Sequence, residues 1–157
     1  MTRAAAASAP DFDLPRFFPY RVAVLAERVS QAISQVYLDR FDLSRAEWRV
    51  VAALGCNEKM AAKDIGPYSA LDKMQVSRAV ARLEQEGLIR RVGDKADGRA
   101  KIISLTPAGR TLYQRIVPLT LAREAYLLEA LEPNEREILS RAMDRLLARA
   151  ESLIERG

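Results

Sequence analysis

The stretch 72–105 changes its periodicity at Gly87, and this change constrains the fold more than any other feature of the chain. Before it, Val76, Val80 and Leu83 recur at intervals of three and four, which places them on one side of a helix. A glycine at this point is typical of a helix C-terminus. Two short strands of β-branched composition and a polar connection between them follow it, at 88–92, 100–105 and 93–99. The sequence therefore predicts a helix that leads directly into a β-hairpin.

The face of the predicted helix opposite the apolar stripe carries Gln75, Arg78 and Arg82. An arginine can bridge two acceptors on guanine, a glutamine can pair with adenine, and the short Ser77 allows close approach to a phosphate. This is the chemistry that a DNA recognition helix needs. An ordinary amphipathic surface helix also has a polar face, so the helix alone leaves both interpretations open.

Basic residues at the tip of the predicted hairpin favour the first interpretation. Lys95, Arg99 and Lys101 lie on or beside the connection between the strands. The negative potential of a narrow minor groove attracts an inserted guanidinium, and Arg99 is our candidate for that contact. Asp97 would orient a nearby arginine or simply form the turn before Gly98. Helix and hairpin together predict a winged helix-turn-helix that binds double-stranded DNA.

The excess positive charge of the chain falls in the same region. Between Lys59 and Lys101 there are ten basic and six acidic residues, whereas the rest of the chain has fifteen of each. Phosphate neutralisation favours such an excess, although a net charge of +4 is too modest to indicate nucleic acid by itself. The candidate DNA-binding residues are Ser69, Lys73, Gln75, Ser77, Arg78, Arg82, Lys95, Arg99 and Lys101.

Three segments make the chain similar to the MarR (multiple antibiotic resistance regulator) family of winged-helix transcription factors. They are AEWRVVAALG at 46–55, ALDKMQVSRAVARLEQEGLIRR at 70–91 and DGRAKIISLTPAGR at 97–110. The resemblance implies a dimer in which the first and last two helices of two subunits intertwine. It also implies that a small aromatic or phenolic ligand binds between these helices and the winged lobe and alters DNA binding.

Two positions depart from the family pattern. The wing usually has two adjacent arginines after the aspartate, and here Gly98 replaces the first, which leaves Arg99 alone at the tip. Pro67 falls within the first helix of the helix-turn-helix. Because proline lacks an N–H group and crowds the carbonyl four residues earlier, we expect that helix to be short or bent after Ile65.

Long amphipathic helices are predicted on both sides of the winged region. The last of them has an apolar stripe that a compact lobe cannot cover, so a partner must cover it, and the family resemblance implies that this partner is a second copy in a homodimer. The predicted fold class is mainly α with a small β-hairpin wing, in a single domain at 14–157 after a disordered leader at 1–13. Within it we place the winged helix-turn-helix at about 44–105 and the dimerisation helices at about 14–40 and 107–155.

Aromatic and basic residues in two places suit an aromatic carboxylate effector. Phe17, Tyr20 and Arg21 place rings beside a cation near the start of the first helix, and Trp48 lies on the helix expected to form the opposite wall. The alternative is that the rings near Phe17 belong to the dimer core and that Trp48 belongs to the core of the domain.

Catalytic, metal-binding and membrane functions find little support in the sequence. The chain has no histidine, which removes the usual general base and most zinc sites, so we expect no catalytic site, metal or cofactor. The single Cys56 excludes an internal disulfide, and no segment has the roughly 20 apolar residues that span a membrane, so we expect a cytoplasmic protein. We expect Cys56 to be inert and partly buried, with a redox-sensing role as the alternative.

Two functions from different classes are compatible with these features. One is a homodimeric repressor that a small ligand releases from palindromic operator DNA. The other is a winged-helix architectural or protein-interaction module without a ligand response. Preference for one DNA sequence over random duplex distinguishes them.

Overall fold

The computed structural model describes residues 12–93 and 101–157, which form a mainly helical chain with one small sheet. Within these ranges a short 3-10 helix at Leu14–Arg16 precedes six α-helices and three β-strands. The helices are α1 (Phe18–Phe41), α2 (Arg45–Cys56), α3 (Ala62–Ser69), α4 (Lys73–Gln85), α5 (Pro107–Leu128) and α6 (Pro133–Arg156). The strands are β1 (Met60–Ala61), β2 (Ile89–Gly93) and β3 (Lys101–Leu105). The predicted fold class is confirmed.

The two predicted strands form an antiparallel hairpin, and each begins one residue later than expected. Its register places Gly93 opposite Lys101, so the connection between the strands leaves the sheet at this end. The wing contacts predicted for Lys95 and Arg99 fall in that connection and lie outside the described residues.

A third strand that the sequence did not predict completes the sheet. β1 pairs antiparallel with β3, with Met60 opposite Ile103, so β3 is the central strand. Two residues are too few to show the alternation from which a strand is predicted. Because α3 begins directly after β1, this short pairing fixes where the helix-turn-helix starts.

The hydrophobic core lies between α2, α3, α4, β3 and α5. Its largest fully buried side chains come from all five elements and are Val50, Val51, Leu54, Ile65, Leu83, Ile103 and Ile116. The buried residues of α1 are Val36 and Tyr37, both near its C-terminal end. The winged lobe therefore has a core of its own, and most of α1 lies outside it.

The first long helix begins later than the sequence predicted. The N–H groups of Arg16 and Phe17 both donate to the carbonyl oxygen of Asp13, at 3.1 and 3.0 Å, and this closes a separate 3-10 turn. Phe17 is then extended, with φ −67° and ψ 119°, and α1 begins at Phe18. Pro19 lies in the first turn of α1, where its missing N–H group costs little.

α3 is short, as Pro67 predicted, but it does not end at Ile65. The helix continues to Ser69, and its length is eight residues. Since Pro67 is the sixth of them, its missing N–H group removes a single intrahelical hydrogen bond and leaves the first turn intact. Its C-cap is Ala70, whose backbone is left-handed with φ 51°.

A wide apolar surface remains exposed on the described chain. α6 has no buried residue, and the N-terminal half of α1 is exposed as well. The exposed apolar side chains of α6 include Ile138, Leu139, Met143, Leu146, Leu147, Leu153 and Ile154. The lobe thus leaves the stripe on the last helix uncovered, as predicted. None of the described helices is both long and apolar enough to cross a membrane.

Candidate DNA-binding interface

α4 buries one face and exposes the other, as the sequence predicted. Val76, Val80 and Leu83 are at most 7% exposed, whereas Ser77 and Arg78 are exposed to solvent. The buried side chains pack in the core of the winged lobe, so the helix cannot rotate without opening that core. Its polar face is therefore held in a fixed orientation at the surface.

The N-terminus of α4 is closed by a capping box, which sequence analysis did not find. The backbone N–H of Gln75 donates to Oδ1 of Asp72 at 2.7 Å, and the backbone N–H of Asp72 donates to Oε1 of Gln75 at 3.0 Å. Gln75 was predicted to pair with adenine, which requires its amide oxygen and nitrogen together. In this structure the oxygen already accepts a hydrogen bond from the backbone.

The C-terminus of α4 is joined to the sheet and to α5 by backbone hydrogen bonds. Gly87, with φ 69°, donates to Glu84, and Leu88 donates to Leu83 at 2.9 Å, which is the Schellman arrangement. The hydroxyl of Thr106, the N-cap of α5, donates to the carbonyl of Gly87 at 2.7 Å. Recognition helix, hairpin and α5 thus meet at one turn.

Arg82, a predicted DNA contact, lies between two carboxylates. Its guanidinium is 3.2 Å from Asp42, at the C-cap of α1, and 3.3 Å from Glu86 on its own helix. Arg91 of β2 is similarly paired with Glu84 at 3.0 Å. These carboxylates lower the local positive charge around both arginines, and because the pairs are exposed a phosphate would compete with them.

Two other predicted cations on α4 have no such partners. Lys73 and Arg78 are exposed, and neither makes an ion pair or a side-chain hydrogen bond within the described part of the chain. Arg78 is in the middle of the exposed face, and Lys73 is the first residue of the helix. The structure therefore leaves these two charges available on α4.

The turn between α3 and α4 is held by a residue that sequence analysis did not connect with it. Nη1 of Arg49, on α2, donates to the carbonyl oxygens of Ser69 and Ala70, at 3.4 and 3.2 Å. The hydroxyl of Ser69, predicted to contact DNA, donates to the carbonyl of Ile65 within α3. A left-handed alanine costs roughly 1–2 kcal/mol, so the Arg49 contacts stabilise a turn that would otherwise be strained.

Comparisons with known proteins agree with this geometry. A family described as a winged helix DNA-binding domain matches residues 43–109. An HTH-type transcriptional regulator of Bacillus cereus is 30% identical over 118 residues, which cover 74% of this chain and 78% of that protein. The crystal structure of a MarR/EmrR family transcriptional regulator from Acinetobacter sp. ADP1 has a TM-score of 0.82 at 28% identity, over 90% of this chain and 99% of that one. The chain belongs to the MarR family of transcriptional regulators.

A further relative has a more specific name. The homoprotocatechuate degradative operon repressor of Escherichia coli is 28% identical over 101 residues, which cover 64% of this chain and 67% of that protein.

In this MarR-family chain, Trp48 lies between two tyrosine rings at the junction of α1, α2 and α5. Its ring is 5.8 Å from Tyr37 and 6.3 Å from Tyr113, and both pairs are stacked. Burial raises the pKa of Tyr37, although Arg45 and Arg49 oppose this. The pKa of Tyr113 is raised first by its hydrogen bond with Cys56 and then by burial. Both phenols therefore remain neutral at pH 7.

The four residues predicted to bind an effector do not meet within one chain. Phe17, Tyr20 and Arg21 are exposed at the start of α1, whereas Trp48 packs against Tyr37, near its end. Seventeen residues of helix separate Tyr20 from Tyr37, which is about 25 Å at 1.5 Å per residue. These residues therefore do not form facing walls within one chain, and a site that they share in a dimer stays a prediction.

Cys56 is exposed, which corrects the prediction that it is partly buried. α2 continues through Gly55 and ends at Cys56, whose Sγ is 3.8 Å from the hydroxyl oxygen of Tyr113. In the described ranges no group of histidine, cysteine, aspartate and glutamate side chains is arranged to hold a metal ion.

An open groove lies between the C-terminal halves of α1 and α5. Its volume is about 400 Å³, and it is lined by Gln35, Val36, Asp39, Arg40, Leu119, Ala122, Arg123 and Tyr126. Nη1 of Arg123 donates to the carbonyl of Ala32 at 3.1 Å and to Oε1 of Gln35 at 3.3 Å, which joins the two helices across its floor.

Proposed function

We propose that this MarR-family regulator is a homodimeric repressor that binds palindromic operator DNA and is released from it by a small aromatic or phenolic acid. The observation that carries the proposal is the exposed face of α4. It presents Arg78 and Lys73 without intramolecular partners among the described residues, and a well-packed core fixes its orientation.

The proposed contacts follow from how a recognition helix enters the major groove. The N-terminal residues of such a helix approach the base edges, and an arginine bridges the two acceptors of guanine. We assign that contact to Arg78 and phosphate contacts to Lys73 and Ser77. Arg99 would enter the minor groove, with Lys95 and Lys101 on the neighbouring phosphates.

The exposed apolar side chains of α1 and α6 support the dimer, because a second copy of the chain would cover them. Many large apolar side chains of α1 and α6 are exposed, which is unfavourable in water, and a two-fold dimer buries the same side chains of both subunits at once. Two recognition helices related by that axis would enter successive major grooves. Half-sites about 34 Å apart, one turn of the duplex, would fit this arrangement.

The effector proposal is supported by a relative and by the aromatic stack. The Escherichia coli protein is named as the repressor of an operon that degrades homoprotocatechuate, a phenolic acid. Since Phe17, Tyr20 and Arg21 lie at the start of α1 and Trp48 packs near its end in one chain, a site that uses all four would be shared between two subunits. The carboxylate of the effector would bind Arg21, and the aromatic ring of the effector would contact the aromatic stack that contains Trp48.

Competition between DNA sequences tests the core of the proposal. A duplex selected from random sequences should resist excess random competitor, because a base-specific dimer binds its site roughly 10³-fold or more tighter than other DNA. Anisotropy of a labelled duplex measures this. If random duplex displaces the protein as readily as the selected duplex does, the protein is an architectural module and the repressor proposal is wrong.

Substitutions of Arg78 test its role in the same assay. Arg78→Ala should cost about 1–3 kcal/mol on the selected duplex and relax the preference for one base pair. Arg78→Lys keeps the charge but cannot make the bidentate contact, so it should lose specificity while random duplex still binds normally. Lys95→Ala should instead weaken all sequences alike and lower the salt dependence. Equal losses on every duplex for all three variants would contradict the assignment.

Titration with aromatic acids tests the effector. The chain has a single tryptophan, so a change in intrinsic tryptophan fluorescence reports directly on Trp48. We expect homoprotocatechuate or a related phenolic acid to change this fluorescence and to release DNA over the same concentration range. A release of about 100-fold requires about 2.7 kcal/mol of coupling. Arg21→Ala should raise the acid concentration needed for release, and a panel of acids that alters neither signal would overturn the effector.

A further inference from the structure

One large apolar side chain on α4 remains unexplained by the fold. Met74, the second residue of the helix, is 63% exposed, whereas the other apolar residues of α4 with large side chains, Val76, Val80 and Leu83, are at most 7% exposed. A methionine has a large apolar surface that favours contact with another apolar group. The core of the lobe does not supply that contact.

Met74 shares its helix face with the proposed guanine contact. Ser77, Arg78 and Ala81 follow it at intervals of three, four and seven, and all three are exposed. Ser77 and Ala81 are small, so the helix backbone can approach a duplex closely along this face. Met74 and Arg78 are then the two long side chains that reach furthest from it.

The neighbouring side chains that might otherwise read bases are already engaged. Oε1 of Gln75 accepts the N–H of Asp72 in the capping box, and Arg82 is paired with Asp42 and Glu86. On the described chain, the exposed face of the first two turns therefore offers the thioether of Met74 and the guanidinium of Arg78 to the bases, beside Lys73 and Ser77, which we assign to phosphates. Met74 is also separate in sequence and fold from the apolar stripes of α1 and α6, so it does not belong to the proposed dimer surface.

We propose that Met74 is a specificity-determining residue that packs against the 5-methyl group of a thymine in the major groove, next to the guanine bound by Arg78. Thymine is the base that presents a methyl group in this groove, and apolar side chains recognise it there. This inference rests on the proposed sequence-specific DNA binding. It adds that each half-site contains a thymine recognised by its methyl group.

Replacement of thymine by deoxyuridine tests the proposal without changing any hydrogen bond of the duplex. The thymines of the selected duplex are replaced one symmetric pair at a time, and binding is measured by anisotropy. Loss of one buried methyl contact is about four-fold per half-site and roughly 15-fold for two. For the wild-type protein we expect one pair of positions to show this loss.

Variants of Met74 show whether that loss depends on this side chain. Met74→Leu keeps an apolar side chain and should still distinguish thymine from deoxyuridine at that pair. Met74→Gln has a similar length but is polar, so it should bind both duplexes within about two-fold of each other. Circular dichroism and binding to random duplex confirm that each variant is folded.

The outcomes separate this inference from the proposed function. If the wild type prefers its selected duplex but deoxyuridine has no effect, or if Met74→Gln retains the same deoxyuridine penalty, the Met74 assignment is wrong and the repressor proposal stands. If the wild type shows no preference over random duplex, both proposals are wrong.

Discussion

Gly109→Ala should destabilise the protein by roughly 3 kcal/mol, because a Cβ at this position would be 1.9 Å from the carbonyl oxygen of Leu88. That oxygen also accepts the backbone N–H of Thr106 at 3.0 Å, and the N–H of Leu88 is used in the Schellman turn. The backbone therefore cannot move away without breaking the junction of α4, β2 and α5. Urea unfolding followed by circular dichroism measures the loss.

Gly87→Ala is the matched control. Gly87 lies in the same junction, but a Cβ added there would have no atom within 4 Å, and only the positive φ of 69° opposes the substitution. We expect this variant to lose about 1–2 kcal/mol. An ordinary helical glycine would gain about 1 kcal/mol on substitution by alanine. If Gly109→Ala is as stable as the wild type, or no less stable than Gly87→Ala, then α5 does not pack as closely against the carbonyl of Leu88 as we describe.

The double variant Leu146→Glu/Leu153→Glu should be a folded monomer with DNA affinity about 10²- to 10⁴-fold below that of the wild type. The two leucines are seven residues apart on one side of α6 and are 47% and 65% exposed. Carboxylates there would be desolvated in a dimer but solvated in the single chain. The affinity falls because a monomer binds one half-site at a time. In the dimer, binding of one subunit raises the effective concentration of the other at the neighbouring half-site, and the monomer loses this gain.

Sedimentation velocity and anisotropy measure the two effects of this double variant. Ala148→Glu, on the opposite side of the same helix, introduces an exposed carboxylate without removing a large apolar side chain, so it should remain a dimer. The thermal unfolding of the variant lobe should resemble that of a dissociated wild-type subunit. A double variant that remains dimeric would show that the stripe on α6 is not the subunit interface.

Patterns within a few turns of chain predicted the recognition helix and hairpin well. The spacing of Val76, Val80 and Leu83 gave the buried face, and Gly87 marked the end of the helix, since both signals arise from local backbone geometry. β1 could not be found this way. Its two residues are a strand only because β3, about forty residues later in the chain, pairs with them.

Local patterns also could not show which of the predicted contact residues form ion pairs within the chain. A helical wheel places Arg82 on the polar face, but its partner Asp42 is forty residues away and reaches it only in the folded chain. Likewise the sequence did not indicate where α2 packs along α1. The contact of Trp48 with Tyr37 shows that α2 packs near the C-terminal end of α1, whereas Phe17 precedes the first residue of that helix.

The absence of buried residues from α6 has a consequence for how the protein is made. Every buried apolar residue of the described chain is present once synthesis has passed Ile116, whereas α6 is complete only at Arg156, forty residues and roughly 2–8 s later. We expect the lobe to close its core without any contribution from α6. Two subunits would then meet with their DNA-reading parts already folded, so the abundance of the chain in the cell would set how fast functional pairs accumulate.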